Sequence, residues 1–145
     1  MSDESGKTRA LAEFEKRMVG SGFGELIGVQ MASVADGECT LVLPYKPELS
    51  RGDNLIHGGV IAALIDKAGT AAAWSYRDIG PDARGATVAL NVNYLSGADR
   101  CTLTAKAHVV RRGGSITVAD VAVENPSAEL VARGTVTYKL SNPRR

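Results

Sequence analysis

The run NLIHGGVIAALIDKAGTAAAW, Asn54 to Trp74, constrains this chain more than any other stretch. It has the composition of a helix and is too rich in Ala, Val, Ile and Leu to lie on a surface, so the rest of the chain has to cover it. On a helix from about Gly58 to Tyr76, the residues Ile61, Leu64, Ile65, Ala68 and Ala72 form the bulky stripe that faces the covering layer. After Gly80 and Pro81 the chain reads as strand. Val88, Leu90, Val92 and Tyr94 alternate onto one face, and so do Leu103, Ala105, Ala107 and Val109. Val121 and Val123 come next in SITVADVAVEN, then Leu130, Ala132, Val136 and Tyr138 in ELVARGTVTYKL. Gly97, Arg112-Gly113-Gly114 and Asn125-Pro126 punctuate these runs as hairpin connections.

Ahead of the helix, ELIGVQMASVA and ECTLVLPY read as a hairpin joined at Asp36-Gly37, with Pro44, Pro47 and LSRGDN forming a loop. Leu11, Phe14 and Met18 recur at helical spacing from about Thr8 to Val19, and Gly20 and Gly22 stop that helix. The order predicts an α+β fold: a short N-terminal helix, a hairpin, a long apolar helix and an antiparallel meander, with one sheet curled around the central helix. The 145 residues fit a single domain. Its expected bounds are 8–140, with residues 1–7 disordered and 141–145 a flexible tail.

Seventeen basic and 16 acidic residues give a formal charge of +1. That balance leaves no footprint for nucleic acid or an anionic membrane, so an anionic small molecule has to be met by a local patch. Cys39 and Cys101 are isolated thiols on strand-like segments, without CxxC spacing, and read as buried free thiols with no metal site. The N-terminal residues lack the apolar core of a signal peptide, and no run reaches the length of a membrane span. A cytoplasmic protein is expected.

An acid in the apolar helix needs a reason. The helical neighbours of Asp66 are Ala62, Ala63, Gly69 and Thr70, with Ala73 a turn further. All are small, so the carboxylate lies in a shallow groove where a slender ligand or another backbone can approach. The alternative is a solvated acid beside Lys67 on an exposed helix edge. His57-Gly58-Gly59 at the helix start adds unpaired N–H donors at the positive end of the dipole, which suit a carbonyl oxygen or an oxyanion. The alternatives there are a tight turn for the glycines and a capping or core role for His57. Gly59 and Asp66 stand about 10 Å apart along one helix. A site built from both therefore needs two antiparallel copies of the helix, and the protein is expected to be at least a dimer.

The words IHGGVIAALIDKAGTAAAW, TVALNVNYLSGA and VVRRGGSITVADVAV, within a span from about Phe23 to Leu140, resemble the hotdog-fold acyl-CoA thioesterases, in the branch related to the phenylacetate-pathway thioesterase. The resemblance implies a long helix wrapped by an antiparallel sheet, dimers whose sheets join, sites between subunits, and commonly a tetramer of two dimers. It implies that Asp66 is the nucleophile or general base and that the Gly58 or Gly59 amide polarises the thioester carbonyl beside His57. Thr87 then orients water, and Asn91 and Tyr94 line the pocket. Where relatives often carry Asn six residues before the His, this chain has Arg51, while Asn54 stands three before it. Either takes the polar role or contacts the ligand. Gly97 replaces a proline of the family motif.

No cofactor or metal is implied, since a carboxylate and one amide donor suffice for a thioester carbonyl. Arg111 and Arg112 are candidates for the phosphates of coenzyme A, or else a solvated turn. His108 reads as structural. The expected activity is hydrolysis of a small acyl- or aryl-acyl-CoA thioester. A hotdog hydratase/dehydratase and a non-catalytic acyl-CoA binding module are the competing readings.

Overall fold

Helix α3 (Gly58–Trp74) lies against the concave face of a six-stranded antiparallel sheet. The computed structural model describes the backbone of residues 2–143 and the side chains of residues 10–143. Before α3 come α1 (Ser2–Met18), α2 (Phe23–Ile27), β1 (Gln30–Ala35), β2 (Glu38–Leu43) and a 3-10 turn at Pro47–Leu49. After it come β3 (Arg84–Tyr94), β4 (Leu103–Arg112), β5 (Ile116–Glu124) and β6 (Leu130–Ser141).

The predicted stripe is the buried one. Leu64, Ile65, Ala68 and Ala72 are fully buried and Ile61 nearly so, packed in one core with Leu41, Leu43, Leu103, Val121, Val123 and Val136 from the sheet. Two glycines let the layers touch. A Cβ at Gly69 would meet Val136 at 2.6 Å, and one at Gly134 would meet Ile65 at 2.7 Å and the Asn91 carbonyl oxygen at 2.8 Å. At the far end of α3, Trp74 Nε1 donates to Tyr138 Oη at 2.8 Å, and the Arg17 guanidinium of α1 stacks 4.4 Å from the Trp74 ring.

The strand order is β1-β2-β4-β5-β6-β3. The β1–β2, β4–β5 and β5–β6 hairpins occur where the turn residues predict them. Gly97 does not make one. β3 pairs with β6 at the far edge, so the segment through Gly97 is a crossover to β4, because alternation reports the face of a strand and not its neighbour.

Three expected boundaries also change. Residues 23–27 form α2, not strand: Gly24 packs under the Val19 carbonyl, Ile27 is buried one turn on, and Gly28 closes the helix at φ 82°. Helix α1 begins at Ser2, so residues 2–7, expected to be disordered, are helical; they carry no apolar period to signal a helix and no proline to forbid one. Ser141 ends β6 opposite Arg84, and the Asn142 side chain accepts from Gly80 N at 3.1 Å and donates to the Asp78 carbonyl at 2.9 Å. The start of the expected tail is therefore fixed, and residues 144 and 145 lie outside the described residues.

β3 carries the feature that shapes the site. Its register with β6 slips between Thr87 and Ala89, leaving Val88 as an extra residue. Such a bulge re-aims the side chains on one side of it. Val88 therefore does not share a face with Leu90, Val92 and Tyr94. Thr87 takes that place and turns toward α3.

Candidate active site

The first turn of α3 uses its donors unequally. His57 is the N-cap, with extended backbone (φ −60°, ψ 134°), and its Nδ1 accepts from Gly59 N at 2.8 Å. Its carbonyl accepts from Val60 N at 3.0 Å and Ile61 N at 3.3 Å. Gly58 N–H has no hydrogen-bond partner among the described residues. Of the two amides the sequence offered, the cap consumes one and leaves the other. His57 thus takes the capping role that stood as an alternative, and a Cβ at Gly59 would press on the cap at 2.9 Å from Nδ1.

Tyr94 reaches from β3 and its hydroxyl donates to the Gly58 carbonyl at 2.7 Å. The peptide between Gly58 and Gly59 is held at both ends, by the phenol and by the imidazole. Gly58 opens onto a cleft of about 390 Å³ lined by Arg51, Leu55, Ile61, Tyr94 and Leu95 among others. Gly59 and His57 border a second hollow of about 480 Å³ with Phe23, Leu26, Leu49 and Val60.

Asp66 lies further along α3, half-buried between its small neighbours. Thr87 Oγ1 donates to Asp66 Oδ1 at 2.6 Å, the short distance typical of a hydroxyl on a carboxylate. Lys67 turns elsewhere: its Nζ stands 3.5 Å from the Met18 carbonyl and 6.0 Å from the centre of the Phe23 ring. The acid is not a solvated partner of its lysine neighbour. One of its oxygens is held by Thr87, and the other has no hydrogen-bond partner among the described residues. At 1.5 Å rise per residue, Gly58 and Asp66 are about 12 Å apart along the axis. One chain therefore cannot close both around the same atom.

Other expected residues fall elsewhere. Asn91 pairs across from Thr135, and with Asn93, Asp120 and Arg133 it borders a hollow of about 160 Å³ on the face of the sheet turned away from α3. Within one chain it therefore lines neither hollow at the start of α3, since positions 90, 92 and 94 face the helix and 91 faces away. Asn54 is exposed, its carbonyl accepting from Arg100 N at 3.1 Å, and it does not line the Gly58 cleft. Arg112 is engaged at the opposite end of α3, paired with Asp78 and stacked 3.8 Å from the centre of the Tyr76 ring. It joins β4 to the segment after α3, which leaves Arg111, exposed beside it at the end of β4, as the freer cation. Sequence reasoning missed Asp53. Its carboxylate takes Arg51 Nη2 at 2.9 Å and Nε at 3.0 and 3.1 Å. Only the close spacing of the two charges in RGD hinted at it.

Burial pushes the Cys39 thiol up to about 12, so it has no nucleophilic role. Among the described residues no group of three or more His, Cys, Asp or Glu is placed to hold a metal. No helix among the described residues is long and apolar enough to cross a membrane.

An acid fixed by a hydroxyl, an unpaired helix N-terminal amide and a sheet wrapped around the helix that carries both define a class. The chain belongs to the thioesterase superfamily, whose sequence model matches residues 53–132. A putative esterase of Halobacterium salinarum is 39% identical over 109 residues, covering 73% of this chain and 72% of that one. Human acyl-coenzyme A thioesterase 13 is 27% identical over 139 residues, covering 93% and 97%. A hypothetical thioesterase from Streptococcus pneumoniae, solved with coenzyme A, superposes with a TM-score of 0.71 at 22% identity, covering 81% and 88%. The fold is the hotdog fold that the sequence resemblance implied.

Proposed function

We propose that the protein hydrolyses a small acyl- or aryl-acyl-CoA thioester to the free acid and coenzyme A, in composite sites formed by two copies of the chain. The observation that carries this is the division of labour along α3: a carboxylate held by Thr87 at 2.6 Å, and an unpaired Gly58 amide too far along the same helix to reach its substrate atom. The relatives support the substrate class. One is named as an acyl-coenzyme A thioesterase, and another was solved with coenzyme A bound.

In this reading the thioester carbonyl of the substrate rests on Gly58 N–H of one copy and faces Asp66 of the other. The free Asp66 oxygen takes a proton from water, whose oxygen adds to the carbonyl carbon; negative charge gathers on the carbonyl oxygen and is stabilised by the amide. The C–S bond then breaks, and the thiolate of coenzyme A recovers the proton from Asp66. Thr87 fixes the carboxylate so that its second oxygen meets the water. Direct attack by Asp66 would pass through an anhydride instead. A single turnover in ¹⁸O-water separates the two, because only the anhydride route can place label in the Asp66 carboxylate.

β3 supplies the surface that joins the copies. It is an edge strand of 11 residues with Val88, Leu90 and Tyr94 exposed, followed by exposed Leu95, and its outer row of N–H and C=O groups is open to pairing. Thr87 and Tyr94 sit on that strand, so joining two β3 edges brings the acid of one copy toward the helix start of the other. A tetramer of two such dimers, Arg111 as a contact for coenzyme A phosphate, and a cytoplasmic setting complete the proposal. The test is Asp66→Asn assayed on aryl, short, medium and long acyl-CoA thioesters. Loss of hydrolysis with an unchanged melting temperature supports it, and hydrolysis near the wild-type rate defeats the mechanism.

A further inference from the structure

We propose that the Gly58 cleft receives an acyl group that carries its own carboxylate, and that Arg51 recognises that carboxylate. This rests on the thioester-hydrolysis reading and narrows its substrate class to half-thioesters of short dicarboxylic acids.

Arg51 is an oriented guanidinium. Asp53 accepts from Nε and Nη2, and is itself fixed by Leu55 N at 3.0 Å, while Arg51 N donates to the Leu55 carbonyl at 3.0 Å. The carboxylate occupies one edge of the fork. The N–H groups of Nη1 and one of Nη2 remain without a partner among the described residues, and they form the planar pair that takes a second carboxylate. Both side chains are more than half exposed, so the pair contributes little to stability. What it does is hold a positive fork at the mouth of a cleft whose remaining walls include Leu55, Ile61 and Leu95.

Position decides which anion fits. Arg51 and Gly58 line the same cleft of about 390 Å³. The phosphates of coenzyme A are separated from the thioester sulfur by the whole pantetheine arm. With the carbonyl on Gly58 N–H, an anion that meets Arg51 therefore lies on the acyl side of the carbonyl. The apolar walls between suit a short hydrocarbon spacer, and the fork suits a carboxylate at its end.

The experiment compares chain-matched pairs, glutaryl against pentanoyl and succinyl against butanoyl, as CoA thioesters and as N-acetylcysteamine thioesters that carry no phosphate. Wild type, Arg51→Met and Arg51→Lys are assayed, each checked by its melting temperature. The wild type is expected to favour the carboxylated member in kcat/KM, and Arg51→Met to reduce that ratio by about tenfold or more in both series, with Arg51→Lys keeping part of it. A wild type with no such preference overturns the proposal. So does an Arg51→Met loss equal for both members of a pair, or one that vanishes without phosphates, which would put Arg51 on coenzyme A. If the wild type cleaves none of the thioesters, the hydrolysis reading fails first and takes this inference with it.

Discussion

In the proposed mechanism much rests on one hydroxyl, that of Thr87. Its hydrogen bond holds one Asp66 oxygen and leaves the other for water, so on that mechanism Thr87→Ala is expected to lower kcat by roughly 10–10²-fold, and Thr87→Ser to retain most of it. Steady-state kinetics on the best acyl-CoA checks both. The thiols give an independent reading of the core. Cys39 is buried with its pKa near 12, whereas Cys101 is only partly buried and shifted upward less, by burial first and by Asp99 second. Since the thiolate is the nucleophile, iodoacetamide at pH 8 should label Cys101 well before Cys39 in the native protein. Mass spectrometry before and after denaturant reads this, and equal labelling in the native state would contradict the packing described. Asp66 and the two glycines were legible as residues because an acid among alanines and glycines at a helix start are both locally unusual. Which glycine amide stays free was not, because that depends on the rotamer of His57.

At the scale of elements, α3 was the most legible, since its apolar stripe alone selects the buried face. β3 was the least. Strict alternation placed Val88 with Leu90, and only the bulge turns Thr87 toward Asp66; a slip of one residue is set by pairing with β6, which no local pattern encodes. Asn91 is the converse case: alternation already placed it opposite Leu90, and only the family resemblance suggested a place in the pocket lining. The helix start offers a clean test. Proline is tolerated at the first helical position, and the extended backbone of His57 suits a residue before proline, so Gly58→Pro removes the free N–H while keeping the helix. A loss of about 10²–10³-fold in kcat is expected, with the fold checked by circular dichroism. The contact between layers offers another. Gly134→Ala forces a Cβ against Ile65 and the Asn91 carbonyl and should destabilise the protein by about 1–3 kcal/mol in chemical denaturation.

For the whole molecule, the claim that matters is that neither half of the site works within one chain. The spacing of Gly59 and Asp66 along one helix was readable from the sequence, and so was the expectation drawn from it, at least two copies; the free amide at Gly58 lengthens that spacing by one residue. The edge proposed to join them was not, because a hairpin at Gly97 would set β3 beside β4, whereas the structure pairs it with β6 and leaves its other side open. Mixing two inactive variants tests the claim directly. Asp66→Asn and Gly58→Pro chains are unfolded together and refolded, so that half of the dimers are mixed. Each mixed dimer holds one site with an intact amide and an intact acid and one site with neither. Activity is expected to return to about a quarter of the wild-type level, although each variant refolded alone stays inactive. No recovery, with mixed dimers shown by mass spectrometry to be present, would mean that the amide and the acid act within one chain and that the composite site does not exist.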